Sequence, residues 1–175
     1  MIQDFERIAK ERNWSNTRIE TMLHNIEGRL KRRLPENAEL TLTKFQKRVI
    51  DDQTFWRDWE DNKINHLMIQ GATSAGKTLV SELAILDTLR HDQKAIVLVP
   101  LKAMVRERTA HFKEDMGHGI AEFDTNVFGS SGDYMEDDER IIHGVYSVAV
   151  IVYEKFFAML SQGNSGVMED RKSVV

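Results

Sequence analysis

Eight residues, Gly71-Ala72-Thr73-Ser74-Ala75-Gly76-Lys77-Thr78, carry the spacing G-x-x-x-x-G-K-[ST]. Each residue type there has a task in holding a phosphate. Glycine lets the backbone turn tightly enough for successive N–H groups to converge on phosphate oxygens. A lysine straight after the second glycine can reach the β- and γ-phosphates, and the hydroxyl of Thr78 is placed to ligate Mg²⁺. The expected ligand is therefore ATP with Mg²⁺, held by residues 71–78, with Lys77 and Thr78 nearest the chemistry. A Gly-rich turn that binds nothing is the alternative.

Such a loop works only between a strand and a helix, whose first turn adds N–H donors and a positive dipole end. His66-Leu67-Met68-Ile69-Gln70 reads as the buried strand, and Leu79, Val80, Leu83, Leu86 and Leu89 mark the helix. Downstream, Ala95 to Val99 and Ser147 to Tyr153 read as strands, with Asn126-Val127-Phe128 as a shorter one. Leu101, Met104, Val105, Phe112 and Met116 mark a helix after the first of these, and Phe156, Phe157 and Leu160 one after the last. Alternation of this kind predicts an α/β fold whose mainly parallel sheet has helices on both faces. Its ligands belong beyond the carboxyl ends of the strands.

The start of the chain is different. Ile19, Met22, Leu23, Ile26, Leu30 and Leu34 recur at helical spacing after Ser15, a plausible N-cap, and Pro35 marks a boundary. Arg29, Lys31, Arg32 and Arg33 crowd the end of this helix, either as solvated charge at its negative pole or as a phosphate-binding patch. A second helical region runs from Thr43 to about Trp59, with Trp56 and Trp59 expected in the core. The predicted organisation is a helical extension over residues 1–40 and a nucleotide-binding domain over 41–175.

From about Leu40 onward the chain resembles the first, RecA-like motor domain of superfamily-two helicases of the DEAD/DEAH-box group, nearest the Ski-like, DExH branch. Besides residues 71–78, three segments carry the resemblance. Thr41-Leu42-Thr43-Lys44-Phe45-Gln46 stands where these helicases keep the glutamine that reads adenine, which implies Phe45 and Gln46 as nucleotide-binding residues; an amide can pair with adenine N6 and N7. Val99-Pro100-Leu101-Lys102-Ala103-Met104-Val105 resembles the motif that grips the backbone of the tracked strand, implying a phosphate contact for Lys102, with Arg106 and Arg108 as candidate helpers. Gly129-Ser130-Ser131-Gly132-Asp133-Tyr134 resembles the S-T-G-D stretch, implying strand contacts for Ser131 and Gly132. Val150 to Phe156 resembles T-T-x-E-K-F, but Ile151 and Val152 replace its hydroxyls.

The resemblance also shows what to expect beyond these segments. Hydrolysis in this family needs the carboxylates of a DExH box and a second motor domain. Asp137-Asp138-Glu139 follows no apolar strand and reads as a solvated loop or helix start, whereas Glu154 follows a strand without an Asp beside it. Because the DExH strand is expected to begin near Arg171-Lys172-Ser173-Val174-Val175, the chain is expected to stop before its catalytic carboxylates. The function implied is the ATP-binding portion of an ATP-dependent helicase or translocase acting on nucleic acid, with a lean to DNA over RNA that rests on resemblance alone. Its alternatives are another P-loop ATPase or kinase, and a non-enzymatic nucleotide-binding or interaction module.

Composition narrows the field from another side. Among the 175 residues there is no cysteine, which excludes a disulfide scaffold, a thiolate metal site and cysteine catalysis. The six histidines form no H-x-x-x-H pair. Charge begins at Asp4, unlike a secretory leader, and no apolar run approaches the roughly 18 residues of a membrane span, so a soluble, cytoplasmic protein is expected. The net charge of −4 is uneven. Residues 112–140 hold nine acids against two bases, a local −7 that leaves +3 elsewhere, so the overall acidity is no argument against a nucleic-acid partner.

Overall fold

A computed structural model of the chain describes residues 7, 10–11, 17–32, 35, 41–52, 55, 67–117, 126–163, 165–167 and 171–174. They fall into two compact units, Met1–His91 and Asp92–Val175. Ser15, Arg33, Leu34, Trp56 and Trp59 lie outside the described residues, as do the side chains of Ile19, Met22, Leu23 and Met116.

The first unit is helical. Helix α1 spans Thr17–Lys31, α2 Lys44–Asp51 and α3 Lys77–Arg90. The apolar spacing of α3 becomes its packing, with Leu79, Val80, Leu83, Ile85, Leu86 and Leu89 all buried. At about 1.5–3 kcal/mol for each fully buried aliphatic side chain, this surface is what anchors the helix behind the phosphate loop. Helix α2 stops well short of Trp59. Asp52 adopts an extended conformation, and two successive carboxylates at the helix's negative end oppose another turn.

The strand expected at residues 66–70 is not found. Residues 67–70 have no regular structure, and Leu67 and Met68 are exposed, Met68 at 92%. His66 lies outside the described residues. A strand exists only through pairing, and no described residue of this unit belongs to a sheet.

The second unit holds the sheet. Its strands are β1 (Lys94–Val99), β2 (Val127–Ser130), β3 (Val148–Val152) and β4 (Arg171–Val174), in the spatial order β2-β3-β1-β4 with every pairing parallel. Helix α4 (Lys102–Gly117) follows β1, the short α5 (Asp138–Ile142) precedes β3, and α6 (Tyr153–Ser161) follows it. All five residues of β3 are buried, as a continuous apolar run must be when helices cover both faces of a parallel sheet. Ile96, Phe128, Ile141, Tyr146, Ala149, Ile151, Phe156, Met159 and Val167 form one cluster, and the Tyr146 hydroxyl donates to the Val167 carbonyl at 2.9 Å. Tyr153 belongs to helix rather than to strand, and Phe157 is exposed while its neighbour Phe156 is buried. Among the described residues no helix is long and apolar enough to cross a membrane.

Candidate nucleotide and strand-binding sites

In the first unit the phosphate loop is built against α2. Thr43 caps that helix reciprocally with Gln46. The Thr43 hydroxyl accepts the Gln46 N–H at 3.1 Å, and Gln46 Oε1 accepts the Thr43 N–H at 2.8 Å. The spacing T-x-x-Q is the signal that could have announced this cap. Both side chains then reach the loop. Thr43 Oγ1 donates to the Ala75 carbonyl at 2.9 Å, and Gln46 Nε2 donates to the Gly76 carbonyl at 3.1 Å.

The glycines answer to these neighbours. A Cβ on Gly71 would stand 2.7 Å from the Phe45 ring, and one on Gly76 only 2.1 Å from Gln46 Nε2. Gly76 also caps α3 in the left-handed region (φ +87°), and Ser74 shares that region at φ +65°. Such backbone is costly for any residue but glycine, and it gives the loop its tight turn. Lys77, exposed at the start of α3, donates to the carbonyls of Gly71 and Ala72 at 2.8 Å each. Thr78 follows it, half-buried, in the first turn. Phe45, Gln46 and residues 71–78 thus form one constellation.

In the second unit, the other segments singled out from the sequence meet at the carboxyl edge of the sheet. Lys102 opens α4 beyond β1, and its ammonium lies between both carboxylate oxygens of Asp133, at 3.0 and 3.2 Å. The pair is well exposed, at 57% and 72%. Gly132 lies under the same lysine: a Cβ there would stand 3.2 Å from Nζ. Ser131 is buried, and its N–H and carbonyl both bond to Tyr134 across a tight turn. Arg106 stacks over the Tyr134 ring at 5.6 Å. The Tyr134 hydroxyl is pushed above the usual tyrosine range by burial and then by Asp137 and Glu136, with Arg106 opposing.

The acids at 137–138 are the helix start rather than the solvated loop, with Asp137 at the N-cap of α5 and Asp138 its first residue. Asp137 is buried and accepts the Gly129 N–H at 3.2 Å. Asp138 accepts the Ser130 hydroxyl at 2.5 Å and pairs with Lys155, whose ammonium also reaches the Ser131 carbonyl at 3.4 Å. The lysine of the E-K-F segment therefore ties the end of β2 to the start of α6, a contact between distant positions that no spacing foretells. Glu154 is exposed in the first turn of α6.

A glycine-lysine loop opening a helix and a parallel sheet crossed by helices together define a P-loop α/β protein. The particular family is shown by comparison: the DEAD/DEAH box helicase family matches residues 43–175, and the chain belongs to it. The chain is 32% identical over 111 residues to the ATP-dependent DNA helicase Hel308 of Pyrococcus abyssi, covering 63% of this chain and 14% of that protein. It is 34% identical over 116 residues to the Hel308 of Pyrococcus horikoshii (65% and 15%). To that of Thermococcus kodakarensis it is 38% identical over 111 residues (63% and 9%). The chain thus spans less than a sixth of the length of these relatives.

Proposed function

We propose that this chain is the ATP-binding portion of an ATP-dependent helicase or translocase that runs along one strand of nucleic acid, DNA by preference. The observation that carries the proposal is the bonding of Thr43 and Gln46 onto the loop at residues 75 and 76, within a chain of the helicase family. A loop that recognised only phosphate would not need an amide fixed beside it.

In this reading the N–H groups of residues 71–78 and the start of α3 receive the phosphates, and Lys77 exchanges the Gly71 and Ala72 carbonyls for β- and γ-phosphate oxygens. Thr78, with its hydroxyl in the first turn of α3, fits the role of Mg²⁺ ligand; Mg²⁺, when bound, supplies neutralisation of phosphate charge. Gln46 has two amide N–H groups and two carbonyl lone pairs. The bonds to Gly76 and Thr43 use one of each, and adenine N7 and N6 take the others. Phe45, packed on Gly71, holds that end of the site.

Lys102 and the backbone at Gly132 contact strand phosphates, and Ser131 anchors the turn that presents them. That the relatives are ATP-dependent DNA helicases supports DNA as the partner, and a cytoplasmic location is part of the same proposal. The sequence has no Asp-Glu pair directly after an apolar strand, so the role read for these 175 residues is ATP binding rather than turnover.

Titration with ATP and GTP tests the nucleotide half. Wild type should prefer ATP, and Gln46→Ala should weaken both nucleotides through the loop but ATP more, erasing the preference. Equal affinities in the wild type would refute adenine selection.

A further inference from the structure

Helix α1 precedes the residues matched by the helicase family, yet it carries a charge buried against the phosphate-loop helix. Arg29 donates to Glu82 Oε2 at 2.9 Å, and the two side chains are 5% and 2% exposed. Of the two readings of the basic cluster, neither a solvated charge nor a phosphate patch describes this arginine. Lys31 and Arg32 are exposed as the first reading requires.

We propose that Arg29 is a positioning residue for the phosphate loop, fixing α3 in register through Glu82. Glu82 stands one turn beyond Thr78, at the i,i+4 spacing that places two residues on one helix face. Ile26 of α1, fully buried, adds apolar contact, but apolar burial is non-directional and tolerates sliding. An ion pair in a dry setting does not: a shift of one residue along α3 strands two charges, and a register role is the best-attested use of such pairs. Guanidinium suits the task because its planar fork meets a carboxylate in fixed geometry. Gln46 holds the N-cap of the helix, Gly76, and Arg29 holds its second turn. One clamp thus comes from the segment the family matches, and the other from the extension ahead of it.

The inference rests on the reading of residues 71–78 as an ATP site, and its test separates the two. Full-length wild type, Arg29→Lys and the double variant Arg29→Met/Glu82→Met are compared for melting temperature, ATP affinity and nucleotide-free hydrogen exchange at residues 71–78. Replacing both charges by apolar side chains of similar size leaves stability near the wild-type value or above it. The double variant should therefore melt like wild type while binding ATP about fivefold or more weakly and exchanging faster in the loop. Arg29→Lys, which keeps the charge without the fork, should fall between them.

Wild-type exchange and affinity in a folded double variant would overturn the proposal, reducing the pair to a stability contact. If that variant does not fold, Arg29→Lys decides: faster loop exchange supports positioning, and unchanged exchange overturns it. If wild type binds no ATP, the ATP reading fails, and loop exchange alone judges the role of Arg29.

Discussion

At the scale of single residues, two contacts carry the sharpest expectations. Gly76 combines a left-handed backbone with a Cβ position 2.1 Å from Gln46 Nε2. Gly76→Ala should cost about 1–3 kcal/mol of stability from strain and crowding, read from denaturant unfolding, and should release Gln46 from the loop. Lys102 is embraced by Asp133, so in the proposed strand contact a phosphate would compete with a carboxylate for it. Asp133→Asn should therefore tighten single-strand binding a few-fold at low salt, with the gain fading as ionic strength rises, because exposed pairs are worth roughly 1 kcal/mol or less. Lys102→Ala should weaken binding without regard to base sequence and flatten its salt dependence. Binding assays across salt read both. Phe45 and Gln46 were named only through the family resemblance, Gln46 lying 30 positions from the Gly76 it bonds, whereas the spacing of residues 71–78 is local and that pattern was legible. Asp133 as the partner of Lys102 was not, being 31 positions away.

Elements were legible where one face of a helix or a fully buried strand writes its own pattern. Helices α3 and α4 and strands β1 and β3 fall where periodicity puts them, and β4 forms over residues 171–174, near where a further strand is expected. Legibility failed where a partner decides. Residues 67–70 look like a strand but have none to pair with among the described residues of their unit, and α2 ends on its own acidic pair. Residues 137–138 are the helix start that was one of their two readings, but their partners were not legible: Asp137 accepts a backbone N–H and Asp138 holds Ser130 and Lys155. Gly129 shows how closely elements approach. A Cβ there would lie 2.6 Å from Thr109 Oγ1 and 3.0 Å from Val105 Cγ1, so α4 packs directly on β2. Gly129→Ala should push α4 away and cost about 1–3 kcal/mol, measured as a lowered unfolding midpoint with an unchanged denaturant slope.

On the scale of the whole molecule, the net charge of −4 reports the acidic stretch around residues 112–140, and several of its carboxylates serve the fold. Family membership accounts for residues 43–175, while the buried Arg29 shows that the preceding helix is packed into the same unit as the phosphate loop. The 175 residues should bind ATP with Mg²⁺ yet release no phosphate above background, which a phosphate-release assay checks. The central claim, that residues 71–78 hold the phosphates of ATP, is tested most directly by calorimetric titration of ATP·Mg into wild type and Lys77→Ala. Saturable binding by the wild type, weakened at least about tenfold in Lys77→Ala as expected for the loss of a charge-assisted contact worth roughly 1.5–3 kcal/mol, is the predicted result. Equal affinities in the two proteins, or no heat of binding in the wild type, would contradict it.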